Sequence, residues 1–272
     1  MNIPENGSSF LFRTRYLLHV VLFGLGWLAP WNLVYRIDPP GPNAHVWGLL
    51  AVQLGLTGAM TISQAFNLLL GLGVVCAVTG AWLRVWGSAY LGTRVVYGPK
   101  MQMPEVTAIQ HLPTLLEEKP GLLTDGPFRH LRNPLYVGTF VFTLALALLM
   151  TASGAIFTIV GITALEFLLI VGEEQFLSRQ LGESYAAYCK VVPRLWPRIR
   201  GRARGTGRLA RWPQAVLGEI FFVGVAGSFV AVGWLYNAHI LQQCVLVSFG
   251  LSLVMRAVVP SGPKPVQQPT AS

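Results

Sequence analysis

The sequence predicts an all-α polytopic membrane protein, a bundle of about six or seven apolar helices with no Rossmann domain. Three observations carry this. Of 272 residues, 53% are hydrophobic and only 11% charged, with a mean hydropathy of +0.53, whereas a water-facing globule carries about 25% charged residues. The apolar residues fall into long runs, each approaching the roughly 20 that a helix needs to cross a hydrocarbon core. The 11 acidic residues are segregated, mostly into 105–125 and 166–183.

Residues 17–34 form the first apolar run, preceded by Arg13 and Arg15 and closed by Arg36 and the turn-forming Asp38-Pro39-Pro40-Gly41-Pro42. The run continues through Trp27 and Trp31 without a small-residue cleavage site, so it reads as a retained anchor. The shorter run 47–62 fits either a tilted span or a re-entrant piece. Residues 65–86 follow, with Gly73, Ala77 and Ala81 in a stripe that lets another helix approach closely. Segment 88–133 holds the polar residues and prolines of an extramembrane stretch, with 95–123 as a possible cover. Runs 135–150 and 155–171 make a hairpin around Thr151-Ala152-Ser153-Gly154, and the second continues as a helix through Glu173-Glu174 to about Tyr188. Runs 216–236 and 240–258 form a last hairpin around Asn237. The expected organisation is membrane helices in 1–86, a core in 87–199, a basic linker in 200–211, a transmembrane hairpin in 212–260 and a disordered tail in 261–272.

The net charge of +9 has a local source, the acid-free run Arg194, Arg198, Arg200, Arg202, Arg204, Arg208 and Arg211. Flanked by apolar segments, it reads as a positive-inside signal, not a nucleic-acid surface, with anionic lipid as an additional contact. It places the linker, segment 88–133 and the C-terminus in the cytoplasm; the side of the N-terminus turns on whether 47–62 crosses. Cys76, Cys189 and Cys244 show neither disulfide nor metal spacing. Gly24-x-Gly26-x-x-Ala29 and Gly205-x-Gly207-x-x-Ala210 match a loose nucleotide fingerprint but follow no strand, so they carry nothing.

Chemistry concentrates in three places. Gly126-Pro127-Phe128-Arg129-His130-Leu131-Arg132-Asn133-Pro134-Leu135-Tyr136-Val137-Gly138 sets two arginines, a histidine and a tyrosine where loop meets membrane. Pro134 suits a first helical turn, which puts Arg132 and Asn133 at a helix N-terminus whose free N–H groups favour anions. Snorkelling arginines and an interfacial tyrosine explain the same pattern equally well. Glu173-Glu174 closes a span, and Glu166 lies two turns earlier on the same face. An acid in an apolar run faces a cavity or a partner; pairing with an arginine, or simple solvation of Glu173-Glu174, is the plainer reading. Tyr185, Tyr188, Val192-Pro193-Arg194 and Pro197 mark a helix break that by itself is an aromatic anchor.

Taken together, Gly-Pro-Phe-Arg-x-x-Arg-Asn-Pro-x-Tyr-x-Gly over 126–138, a hydrophobic hairpin, Glu173-Glu174-x-x-Leu177, Leu181-Gly182-x-x-Tyr185-x-x-Tyr188 and Val192-Pro193-Arg194 resemble the isoprenylcysteine carboxyl methyltransferase and phospholipid methyltransferase superfamily. Leu83-Arg84-Val85-Trp86 with Leu91-Gly92 is similar to that family's approach to the core, so the resemblance spans about 81–197. It implies a membrane methyltransferase that uses S-adenosylmethionine (SAM) within its helices and acts on a lipid-like, amphipathic acceptor.

By that resemblance, Gly126, Pro127, His130, Arg132, Pro134, Tyr136, Glu173 and Glu174 bind the cofactor, and Arg132, Asn133 and Tyr136 serve catalysis. Arg132 suits the SAM carboxylate, Glu173 or Glu174 its ammonium, and Tyr136, Phe128 and Tyr188 its adenine. Asn133 stands where many members have His; it cannot titrate near neutral pH, so either His130 replaces that base or the acceptor needs no deprotonation. The C-terminal hairpin has no assigned place in this core. The competing readings are an NADPH-dependent membrane reductase of related core, and a transporter or scaffold in which Glu166 lines a polar path.

Overall fold

The computed structural model describes residues 5–28, 45–91, 122–201, 203 and 205–258. The proline turn at 38–42, the stretch 92–121 and the tail 261–272 lie outside the described residues. Among the described residues there are eight α-helices and no strand, an all-α membrane-type fold. They are α1 (Glu5–Leu28), α2 (Val46–Leu56), α3 (Ile62–Leu91), α4 (Pro134–Ala147), α5 (Ala152–Val191), α6 (Trp212–Gly218), α7 (Ile220–Val232) and α8 (Ala238–Val258). Helices α3, α5 and α8 are each long and apolar enough to cross a membrane, and α6 with α7 forms a fourth candidate bent by 78°.

Helix α3 packs antiparallel on α4, with Gly87 beside Leu135, Gly80 beside Gly138 and Gly73 beside Leu148. The predicted small-residue stripe is buried at Gly73, Ala77 and Ala81. The closest approach, however, is one position away. A Cβ on Gly80 would stand 2.7 Å from the Gly138 carbonyl oxygen, and one on Gly138 2.9 Å from the Gly80 oxygen. Two bare backbones touch there, which no larger residue permits.

Helix α1 packs antiparallel along α5: Gly26 meets Gly154 and Thr158, Leu22 meets Gly161, and His19 meets Glu166. It begins well before the expected residue 17, so Arg13 and Arg15 lie within the helix together with His19. Helix α2 has 11 residues, about 16 Å at 1.5 Å per residue and half a hydrocarbon core. Its first N–H groups donate to the carbonyls of Met150 and Leu148 at the α4–α5 turn, at 2.8 and 2.9 Å. The run 47–62 is therefore a short helix at that end and not a crossing. The start of α1 and the Glu173-Glu174 end of α5 consequently share one side.

Two expected helices differ in detail. The run 155–171 continues as expected past Tyr188, in a helix of 40 residues, but it is interrupted at Gly182, whose φ of +49° and ψ of −122° are non-helical. Glycine alone tolerates that backbone without strain, so Tyr185 and Tyr188 sit on a separate final segment. The run 216–236 is not one straight span. It breaks at Glu219 into α6 and α7, because the Glu219 side chain turns inward to a cation.

The main core lies toward the α4–α5 turn and joins Ala77, Phe142, Leu146, Met150, Val225, Phe229, Leu241 and Val245. The C-terminal hairpin is thus packed into the bundle through α7, with Phe222 edge-on to Phe142 at 4.7 Å. Helix α8 follows α7 with a buried stripe of Leu241, Val245, Ser248 and Ser252.

Candidate functional site

The site forms where the chain enters α4 and where α5 leaves the apolar layer. Glu173 and Glu174 stand about 32 Å along α5 from Ala152, at the margin of a ~30 Å core. Upstream, Gly126–Arg129 forms a 3-10 turn, and the residues after it are tied to the post-α5 loop by backbone hydrogen bonds. Arg132 N donates to Pro193 O at 2.9 Å, and Arg198 N donates to His130 O at 3.1 Å. Pro134 opens α4 and has no N–H to satisfy.

Asn133 occupies the N-cap position of α4 but does not cap it. Its Nδ2 donates instead to Glu174 Oε1 at 3.1 Å and to Arg194 O at 3.2 Å. Arg132 Nη1 faces the same Glu174 oxygen at 3.2 Å and donates to Cys189 Sγ at 2.9 Å. Arg194 donates from Nε and Nη2 to Glu174 Oε2, at 2.9 and 2.6 Å. Glu174 is buried, and both its oxygens are held by protein donors. Arg132 Nε is buried and has no partner among the described residues.

Glu173 lies about 100° around α5 and looks the other way. Tyr136, one turn into α4, donates to Glu173 Oε2 at 2.8 Å. Asn133 and Tyr136, three residues apart on α4, therefore reach the two consecutive acids of α5. Glu166 pairs with a histidine and not with an arginine: its Oε1 is 2.9 Å from His19 Nε2 on α1.

Beyond Gly182, Tyr188 donates to Phe128 O at 2.8 Å. Burial first, then the Glu174 charge, pushes the Tyr185 hydroxyl far above its ordinary value, so it stays neutral beside Arg132. Burial does the same to Tyr188.

Thus Arg132, Asn133, Pro134, Tyr136, Glu173 and Glu174 come together. Gly126, Pro127 and His130 belong to the 3-10 turn on the linker side. A Cβ on Gly126 would strike the Tyr90 ring. Pro127 is buried and accepts the N–H groups of His130 and Leu131. His130 binds Arg198 O through Nδ1 at 2.7 Å and lies 5.9 Å from the Trp86 ring. No hydrogen bond joins these three to the Glu173-Glu174 group among the described residues.

Sequence reasoning missed two features. Cys189 is a direct partner of Arg132, and nothing in its local sequence marks it. Glu219, buried at 3% exposure, is a lone acid beside an apolar run, a signal the sequence did hold. It accepts from Arg84 Nε at 2.7 Å, Arg84 Nη2 at 3.2 Å and Ser88 Oγ at 2.6 Å. Arg84 also donates to Thr139 Oγ1 at 2.7 Å and lies 4.1 Å over the Phe222 ring. The linker is docked as well. Asp125 accepts from the Thr206 hydroxyl and from the N–H groups of Thr206, Gly207 and Arg208, and Arg129 Nε donates to Ala203 O at 3.0 Å.

The family model of the phospholipid methyltransferases matches residues 68–184. The cobalt-zinc-cadmium resistance protein CzcN of Cupriavidus metallidurans is 26% identical over 132 residues, 47% of this chain and 60% of its own length. The chain thus spans less than two thirds of that relative. No solved structure matches. Residues 68–184, which contain Arg132, Asn133, Tyr136, Glu173 and Glu174, are thus the stretch similar to the phospholipid methyltransferase family, within the superfamily that the motifs resemble.

Proposed function

We propose that this chain is an integral membrane methyltransferase that transfers a methyl group from SAM to an amphipathic acceptor reached through the lipid, with its site facing the cytoplasm. The family assignment of 68–184 supports the reaction class. The single observation that carries the reading is the convergence of Arg132, Asn133 and Tyr136 on Glu173-Glu174, with one Arg132 donor left open. An orphaned buried guanidinium N–H fits an incoming carboxylate, for which charge-assisted bonds are strong. Of the two acids, Glu173 is the better partner for an ammonium, because Glu174 is neutralised by Arg132 and Arg194.

The residues present therefore fit an amino-acid zwitterion such as the one SAM carries, and that cofactor supplies an electrophilic methyl group when bound. The chain's own part is to hold both ends of the zwitterion and to keep water out. Its contribution to rate is then proximity and orientation, with no enzyme nucleophile. The acceptor's proposed lipid character rests on the site's place at the margin of the apolar layer. The cytoplasmic side follows from the arginines of 194–211.

The test is a calorimetric titration of the detergent-solubilised protein with S-adenosylhomocysteine. Binding that is weakened in Arg132→Ala and Glu173→Gln, and kept in Arg200→Ala, is the expected result. Absence of binding at millimolar ligand, or equal loss in all three variants, refutes the proposal.

A further inference from the structure

We infer that His19 and Glu166 form a proton-accepting pair for this site, and hence that the methyl acceptor is one that must lose a proton. The inference rests on the methyltransferase reading above and adds to it a base that lies outside the family segment.

The geometry fixes how many protons the pair holds. His19 Nδ1 stands 2.6 Å from the Arg15 carbonyl oxygen, which only accepts, so Nδ1 bears the hydrogen. His19 Nε2 then stands 2.9 Å from Glu166 Oε1. Two lone pairs at that distance in a buried site would repel, so a proton lies between them. The pair is either imidazolium with carboxylate or imidazole with carboxylic acid. Its second carboxyl oxygen, Glu166 Oε2, is buried and has no hydrogen-bonding partner among the described residues, although the side chain is only 6% exposed. A buried oxygen without a donor is costly, and here it points to a proton or a donor that arrives during function.

The pair also lies beside the site. Glu166 stands two turns before Glu173 on the same face of α5, and Glu173 accepts from Tyr136 of α4 at 2.8 Å. From α1, His19 meets Glu166 directly and is held in turn by the Arg15 carbonyl one turn earlier. Arg256 of α8 is engaged elsewhere, 3.9 Å over the Tyr16 ring. The other titratable candidates are committed. Glu174 is held by two arginines, and His130 is turned to the linker. Asn133 cannot titrate. A histidine from α1 supplies the base that α4 lacks.

The step balances simply. The acceptor's N–H, S–H or O–H bond breaks, and its proton goes to Glu166 Oε2. The electron pair left on the acceptor forms the bond to the methyl carbon, and the carbon–sulfur pair returns to the cofactor sulfur. A carboxylate acceptor has no proton to give and needs no such pair.

The experiment uses the full chain in detergent, with phosphatidylethanolamine vesicles and decanethiol as probes and methyl-labelled SAM. Glu166→Gln and His19→Gln should keep S-adenosylhomocysteine binding while lowering methyl transfer about a hundredfold near neutral pH. With the thiol, the deficit should shrink at alkaline pH, where the acceptor ionises unaided. Unchanged rate and pH profile in both variants, or methylation of neither probe by a chain that binds S-adenosylhomocysteine, overturns the inference. Failure of the native chain to bind S-adenosylhomocysteine overturns the methyltransferase reading instead.

Discussion

Replacing Glu219 by alanine should cost about 3 kcal/mol of stability, at the low end of the 3–5 typical for breaking a buried ion pair. The structure sets where in that range it falls. The carboxylate takes three donors, two from Arg84 and one from Ser88, and the Arg84 side chain is only 19% exposed. Its removal leaves a guanidinium that cannot deprotonate. That cation still keeps Thr139 Oγ1 at 2.7 Å and the Phe222 face at 4.1 Å, and a desolvated cation–π contact is worth about 2 kcal/mol. These partners soften the loss without cancelling it. A 3 kcal/mol change is roughly a hundredfold in the folding equilibrium, readable as a shift of the unfolding midpoint when detergent-solubilised protein is titrated with sodium dodecyl sulfate and followed by far-UV circular dichroism. Glu219→Gln, which keeps an acceptor oxygen but loses the charge, should cost about 1–2 kcal/mol. The double variant Arg84→Met with Glu219→Leu should recover to within about 1 kcal/mol of the native chain, since neither charge then needs desolvating. If Glu219→Ala unfolds with the native midpoint, the ion pair does not hold the α6–α7 bend, and the reasoning fails.

Two further outcomes follow from the same geometry. At Asp125, burial opposes the charge, but the bonds from Thr206, Gly207 and Arg208 outweigh it and hold the carboxyl below its ordinary value. A carboxyl depressed in the folded state contributes stability above its unfolded pKa and loses it as pH falls through the folded one, so the linker should stay docked from neutral pH down through the ordinary carboxylate range. Asp125→Asn should undock it at neutral pH, read as faster tryptic cleavage at Arg208 and Arg211; equal cleavage rates in both proteins refute this. Gly138→Ala should destabilise the bundle by about 1–3 kcal/mol through overpacking, because its Cβ would stand 2.8 Å from Arg84 Cγ and 2.9 Å from the Gly80 oxygen. Gly24→Ala, with nothing within 4 Å, is the matched control, and equal unfolding midpoints for the two would refute the close contact of α3 and α4.

What the sequence disclosed divides along a physical line. Apolar run length is a local property, so the spans around α3, α5 and α8 were legible to within a few residues. The short α2 was ambiguous until its N–H groups were seen on Met150 and Leu148, a contact across about a hundred residues that no local pattern encodes. The break of α5 has a local sign in Gly182, but glycine inside a helical run is tolerated often enough that it does not by itself predict a break. The bend at Glu219 also had its sign, an acid at the edge of an apolar run, and the rule applied to Glu166 would have found it. Arg132, Asn133, Tyr136 and the paired acids were legible because a loop that enters a helix with a fixed motif keeps its charges in register. Which acid faces which base was not, since one residue along α5 turns a side chain by about 100°. His130, inside the motif, has its backbone tied to the linker, and the histidine that meets a buried acid, Glu166, comes from α1.

The three buried acids of the apolar layer and its margin share one design, and it explains why the flanks of the matched segment 68–184 matter. Glu166, Glu174 and Glu219 each meet a base from a different part of the chain: His19 of α1, Arg132 and Arg194 around the core, and Arg84 of α3. In a low-dielectric medium an unpaired charge costs several kcal/mol, while a pair is tolerated only in good geometry. Each acid is therefore a constraint on where its partner element sits. Glu166 ties α1 to α5, and Glu219 ties the α6–α7 bend to α3 and α4. Residues 68–184 contain Glu166, Glu174 and Arg84, but His19, Arg194 and Glu219 lie outside them. The segment alone would thus carry Glu166 without its partner, Glu174 with Arg132 but without Arg194, and the Arg84 cation without its carboxylate. It follows that the flanking helices are electrostatic parts of the core, and that truncation to 68–184 should leave a chain that does not hold its fold in detergent.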